Sequence, residues 1–417
     1  MPETKEYEIE RHIDVLDGIR AISLIFLVWF HIWEQSWLTP YVSFDNNIAR
    51  YLNIASLNLH TLVQFGYTMV EMFILISAIV NFLPYARAIV FDEPWPDTRT
   101  FYIKRAIRIL PSYLLCVVIM LIGALVGGKY GDDHLFMVKD IITHLTCTST
   151  FFKDTYRITK LNGALWTIQV EVLWYILIPL IARLFRKWPL RVTAAMYLIG
   201  MISANVIIVH SDDLWARNNF FLTFAGYYAT GLLICVFYYH IKKSSIENIF
   251  TQLTATLAMA GAYVGYVSIL NKFYNNDRPY AQLTQRIPLL FVMTVFTLGV
   301  MFSYEPVKKF FSNKVFRFIS IISYNLYIWH QVVAVFLKEH HIPAWGGETP
   351  PNELYDKVWM RKYFVLALLA GVLVSVIVTY LFDIPVTDRL RNKYIDENGL
   401  AYPGKRKWKR RRIVHKQ

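Results

Sequence analysis

The chain has 417 residues, 55% hydrophobic, 16% aromatic and 18% charged, with a formal net charge of +13. Length alone would allow two or three soluble domains, but apolar runs of about 20 residues recur, enough to cross a hydrocarbon core about 30 Å thick, and they exclude a soluble chain. Cys116, Cys147 and Cys235 suggest no disulfide framework, and nucleic-acid binding does not fit beside so many spans.

The hydropathy predicts an all-α integral membrane protein, a bundle of about ten transmembrane helices. They fall near 18–38, 66–86, 106–128, 165–185, 190–210, 219–239, 250–270, 286–304, 316–338 and 362–383. A polar N-terminal tail (1–17) precedes the transmembrane domain (18–383), and a basic tail (384–417) follows it. The first apolar run is long and lacks a small-residue cleavage site, so no cleavable leader is expected. With the N-terminus cytoplasmic, 29 of the 43 Lys and Arg lie on the cytoplasmic side and 14 on the other. The positive-inside rule favours that orientation, with both termini cytoplasmic in the cell membrane. The tail KRKWKRRR, Lys405–Arg412, reads as a clamp on anionic lipid headgroups or as a plain positive-inside anchor.

The first span, DVLDGIRAISLIFLVWFHIW (Asp14–Trp33), carries Arg20 just inside the boundary and His31 eleven residues further on. Eleven residues make three turns at about 3.67 residues per turn, so both lie on nearly one face, roughly 16 Å apart along the axis. An ionisable group at mid-membrane depth is costly and marks a functional candidate. Glu71 in span 2, Glu171 in span 4 and His330 in span 9 fall with His31 at one depth, roughly 18–22 Å from the cytoplasmic face. That suggests a shared polar centre. Glu34, one turn beyond His31, either orients the imidazole or faces the outer headgroups. His330 serves the site or packs helices. Tyr175 shares a face with Glu171, four residues away, and Trp166 sits at the outer interface.

In YIKRAIRILP (Tyr102–Pro111), Arg105 and Arg108 share a face at the same interface as Arg20. Guanidinium forks bind phosphate bidentately. An anion site with a base about 16 Å above it implies a long ligand with phosphates at one end, and coenzyme A fits that outline. No His-x-x-His or cysteine pair lies in the spans, so no metal site is expected.

These motifs together resemble the membrane-bound acyltransferase-3 family of O-acyltransferases, from about Ile13 to Leu390. LDGIRAIS followed by His31 matches its Arg-ten-residues-His motif. KRAIRILP matches its Arg-x-x-Arg-proline motif, and LWTIQVEVLWY its Leu-Trp-Ser…Glu…Tyr segment, with Thr167 for serine. VEMFILISA resembles its second-span motif, with Ala78 where glycine is usual. SYNLYIWH resembles its late Ser-Tyr-x-Leu-Tyr-x-Trp-His segment, and FDIPVTDRL its closing Glu-x-Pro motif with Asp383 for glutamate. The resemblance implies acyl transfer, usually from cytoplasmic acetyl-CoA, to a hydroxyl of an extracytoplasmic glycan or glycolipid. The chain ends after the core, so no fused extracytoplasmic domain is expected.

On this reading Arg20, Arg105 and Arg108 hold the donor's phosphates. His31 is the general base, oriented by Glu71 or Glu171 as in a triad. A covalent acyl-histidine is the variant mechanism. Trp166, Tyr175 and His330 contact substrate. Acyl-CoA enters as donor substrate, with no permanently bound cofactor. The rival class is a transporter or flippase of a glycan or lipid intermediate, for which matching halves with broken helices would be the sign; none is visible. A purely structural or sensory protein does not account for the His and Glu set. The acceptor, the acyl group and the oligomeric state stay open.

Overall fold

The computed structural model describes residues 12–39, 41–43, 56–244, 246–396 and 399–401. The Lys405–Arg412 cluster lies outside them. Among the described residues, ten helices are long and apolar enough to cross a membrane. They are α1 (Val15–Ser36), α2 (Met69–Val90), α3 (Thr98–Val126), α4 (Trp166–Lys187) and α5 (Pro189–His210). The second half comprises α6 (Ala225–Ser244), α7 (Ile249–Lys272), α8 (Arg278–Met301), α9 (Lys314–Glu339) and α10 (Lys357–Val378). The extended pairings described are a short antiparallel one between Tyr41–Ser43 and Ser56–Asn58 and a single bridge between Ile395 and Ala401. The expected all-helical membrane bundle is therefore what the chain forms. Each predicted span overlaps one helix.

Local chemistry explains where the ends move. α3 starts earlier than hydropathy suggests, because Asp97 accepts from the Thr100 backbone N–H at 2.7 Å and its hydroxyl at 2.6 Å. That carboxylate N-cap winds residues 98–105 into helix and carries Arg105 and Arg108 inside it. α8 likewise begins at Arg278 with Pro279 beside it, a position proline tolerates, so Arg286 lies two turns inside the helix rather than at its start. A π-helical turn, Thr379–Asp383, separates α10 from the closing helix Ile384–Tyr394 and places Asp383 in a buried position.

α2 and α6 are the most deeply buried spans, and α5, α7 and α10 the most peripheral. α2 packs on α6, α1 on α9, α9 on α10 and α7 on α8. The first contact is very close: a Cβ added at Gly231 of α6 would lie 2.5 Å from the Ala78 Cβ of α2. With no hydrophobic driving force between helices in lipid, such small-residue contacts supply the packing. The peripheral helices expose Leu190, Ile202 and Val209 on α5 and Phe250, Leu257 and Val264 on α7, a surface suited to hydrocarbon.

The 127–163 connection is structured by a buried carboxylate. Asp140, on the loop helix His134–Leu145, accepts from Tyr130 Oη at 2.9 Å and from Thr159 Oγ1 and the Lys160 backbone N–H, both at 3.0 Å. His144 Nδ1 lies 3.2 Å from its other oxygen. Burial pushes the Asp140 carboxyl up, but the His144 contact, the Lys160 N–H and the Thr159 hydroxyl outweigh it. They hold it below the usual carboxylate range.

Candidate active site

Two cavities lie in opposite halves of the bundle. The inner one, of about 310 Å³, is lined by Arg20 of α1, Arg105 and Arg108 of α3, Glu171 and Tyr175 of α4, and Ser77 and Asn81 of α2. Arg20 is 3.8 Å from Asp17 and its Nη1 reaches Ser320 Oγ at 3.5 Å. Among the described residues, neither Arg105 nor Arg108 makes a salt bridge. The buried Arg105 Nε has no partner, and that guanidinium lies 5.5 Å from the Phe101 ring centroid and 5.9 Å from Tyr175's. Glu171 accepts from Tyr175 Oη at 2.8 Å, and Ser77 lies 3.2 Å from the same phenol. Three guanidiniums around one carboxylate leave this cavity electropositive, a site suited to an anion.

The outer cavity is larger, about 1180 Å³, and contains His31, Glu34, Trp166 and Arg278 among its lining residues. Val70 and Tyr327 line both cavities, so the two meet at that pair. Tyr327 is held there: its hydroxyl accepts from Thr167 Oγ1 at 2.7 Å and donates to the Ala164 carbonyl at 3.0 Å.

His31 Nδ1 is 3.0 Å from Glu34 Oε2, and the other Glu34 oxygen accepts from Arg278 Nη1 at 2.9 Å. Arg278 is caged by aromatic faces, 5.3 Å from Phe30, 5.5 Å from Tyr67 and 5.7 Å from Trp215. A carboxylate only accepts, so this contact keeps the ring proton on Nδ1 and leaves Nε2 as the free base. The His330 ring stands 5.1 Å from the His31 ring, centroid to centroid. Its Nδ1 donates to the Leu326 carbonyl at 2.8 Å, and its buried Nε2 has no partner among the described residues.

The shared centre expected from depth is thus divided. His31 and His330 come together, but Tyr175 and Glu171 line the inner cavity and Trp166 the outer one. Glu71 lines neither. Tyr227 donates to its carboxylate, and Arg286 Nε lies 3.5 Å away. Arg286 in turn bonds the Asn218 carbonyl at 2.7 Å, Asn219 Oδ1 at 2.9 Å and Thr223 Oγ1, and lies 3.9 Å from the Phe224 centroid. This buried pair, with the arginine bonded further through both Nη atoms, ties α2, α6 and α8 together. The carboxylate on His31 is therefore Glu34, not Glu71 or Glu171. The sequence reading left Glu34's role open and missed Arg278 and Arg286. The assumed helix start at 286 put Arg278 in a loop and Arg286 at the membrane boundary, whereas both lie on α8.

Ten spanning helices around a divided polar interior, with arginines in one half and a histidine–carboxylate pair in the other, define a multi-pass membrane protein. The acyltransferase-3 family, described as "Acyltransferase domain", matches residues 13–384, and the chain belongs to it. Among its relatives, the Staphylococcus aureus (strain COL) protein named "Putative O-acetyltransferase SACOL0978" is 23% identical over 83% of this chain and 54% of its own length. "O-acetyltransferase OatA" of Staphylococcus aureus (strain NCTC 8325 / PS 47) is 20% identical over 87% of this chain and 56% of its own. "Nodulation protein 10" of Rhizobium leguminosarum bv. viciae is 22% identical over 41% of this chain and 52% of its own. The chain spans about half the length of these curated relatives. No solved structure matches it.

Proposed function

We propose that the protein is a membrane O-acyltransferase. It moves an acyl group, acetyl in the simplest case, from cytoplasmic acyl-CoA to a hydroxyl of an extracytoplasmic glycan or glycolipid. The observation that carries this reading is the meeting of the arginine-lined cavity and the His31 cavity at Val70 and Tyr327. Family membership and the O-acetyltransferase names of two relatives support it.

Arg20, Arg105 and Arg108 hold the donor's phosphates by charge-assisted hydrogen bonds, about twice as strong as neutral ones. The pantetheine arm extends toward Val70 and Tyr327 and presents the thioester on the His31 side. His31 Nε2 takes the proton of the acceptor hydroxyl as its oxygen attacks the thioester carbonyl. The tetrahedral intermediate collapses, the C–S bond breaks, and the coenzyme A thiolate takes that proton from the imidazolium. Glu34 fixes the ring and stabilises its charged form, and Arg278 fixes Glu34. The cytoplasmic face of the cell membrane is the arginine side, on the charge distribution. The basic tail contacts anionic lipids there.

The test is purified protein in lipid nanodiscs with labelled acetyl-CoA and candidate glycans, read as free thiol and acylated product. His31→Gln should lower kcat by about 10²–10⁴-fold with acyl-CoA binding intact. Arg108→Ala should instead raise the acyl-CoA KM severalfold and leave the acceptor KM alone, because it removes a phosphate contact. A substantially active His31→Gln enzyme overturns the general-base role. An Arg108→Ala enzyme with an unchanged donor KM overturns the donor site. Glycan or lipid moved across the bilayer without thiol release would make the protein a transporter.

A further inference from the structure

The outer cavity carries a charge that topology does not explain. Four cations line it, Lys129, Arg157, Lys160 and Arg278, against two carboxylates, Glu34 and Glu339. Arg278 is paired with Glu34. Among the described residues, the Lys129, Arg157 and Lys160 side chains meet no carboxylate. Their neighbours on the adjoining surface differ: Lys139 pairs with Asp154 at 2.6 Å, and Lys153 lies 3.3 Å from Asp212 and 3.5 Å from Asp213. The two lysines that do not line the cavity are paired with carboxylates, and Lys129, Arg157 and Lys160, which do, are not. On the proposed orientation this is the face where the positive-inside rule makes Lys and Arg scarce, so an anchoring role does not account for them.

Two of the cations also stand on ordered neighbours. Asp140, buried, fixes the Lys160 backbone N–H at 3.0 Å and Thr159 Oγ1 at the same distance. Arg157 lies 6.0 Å from the Trp215 ring centroid. Trp166, Trp215 and Trp329 line the same cavity and offer flat faces beside the charges. Cations interleaved with indole faces, in a cavity that also holds His31, fit a ligand with ring-shaped apolar faces and negative groups.

We infer that the acceptor is an anionic carbohydrate, a glycan bearing carboxylate or phosphate, gripped by Lys129, Arg157 and Lys160 at the mouth of the outer cavity. This rests on the acyltransferase reading for the word acceptor, but the binding claim stands apart from turnover. The test is equilibrium dialysis of the protein in neutral-lipid nanodiscs against three labelled oligosaccharides of one backbone: one with uronate groups, one with phosphate groups, one carboxyl-reduced and neutral. Three exposed charge contacts should make the anionic ligands bind roughly tenfold tighter than the neutral one. Whichever anion binds better names the group. The preference should collapse at high ionic strength, where the Debye length is about 3 Å at 1 M. Arg157→Gln with Lys160→Gln should abolish it. Lys139→Gln with Lys153→Gln, which removes the same charge from the paired positions, should not. Equal binding of neutral and anionic ligands, or a preference that survives the Arg157/Lys160 double variant, overturns the inference. If acyl transfer continues in that case, the function stands without it. Anion-selective binding with no transfer from acetyl-CoA would sink the acyltransferase reading and leave the anionic-glycan site.

Discussion

At the scale of single residues, Glu34 decides what His31 can do. It lies three residues on, on the same helical side, and its two oxygens bridge the imidazole to Arg278. Glu34→Gln can still accept the Nδ1 proton, so the ring stays oriented, but the charge that stabilises an imidazolium is gone. Loss of an orienting carboxylate from a triad costs up to about 10⁴-fold in kcat, and Glu34→Gln should lose at least about 10²-fold of that. The acyl-CoA KM should not move, since the arginines line the other cavity. A near-wild-type kcat would return Glu34 to the role of an interfacial charge. Glu71 should behave differently. Its removal leaves Arg286 buried and unpaired, and a severed buried pair costs about 3–5 kcal/mol, so the loss would appear as misfolding rather than as a kcat effect.

At the scale of elements, the 127–163 connection depends on Asp140. Its carboxyl titrates below the usual range in the folded protein. The stability it contributes is therefore present above the unfolded value, about 3.9, and is lost as pH falls through the depressed folded value. Hydrogen bonds to a charged group contribute about 1.5–3 kcal/mol, so Asp140→Asn should speed amide exchange across residues 129–162 by roughly tenfold or more at neutral pH. α2 should keep its protection. In the wild type the same segment should lose protection progressively as pH falls below the unfolded value, about 3.9, and on through the lower folded one. Exchange that is unchanged in Asp140→Asn would mean that the Tyr130, Thr159 and Lys160 contacts do not hold the loop. Because Lys160 is set by this clamp, the variant should also weaken anionic oligosaccharide binding.

At the scale of the whole molecule, the proposal needs the arginine half to face the cytoplasm. The three cysteines are buried, so they give a silent background for labelling. Lys309→Cys, exposed between α8 and α9, should resist a membrane-impermeant thiol reagent in intact cells. Glu348→Cys, exposed between α9 and α10, should react. The reverse pattern would put the arginines outside and remove the donor assignment.

The ten spans and the ionisable groups within them were legible in the sequence, because lipid forces every crossing segment to be an apolar helix and makes each ionisable group within it conspicuous. Periodicity also placed Arg20 in phase with His31 and Arg105 with Arg108, since one helix relates them. Helix starts at Thr98 and Arg278 were less legible, because a cap or a proline extends a helix beyond its apolar run. What the sequence could not decide was which groups meet across helices. Depth alone put His31, Glu71, Glu171 and His330 in one layer. The packing of α1 on α9 joined the two histidines, the rotation of α4 turned Glu171 toward the arginines, and α8 brought Arg286 to Glu71 and Arg278 to Glu34. Those pairings depend on helix rotation and on close contacts such as Gly231 against Ala78. These arise from side-chain packing between segments far apart in the chain, where no local period reaches.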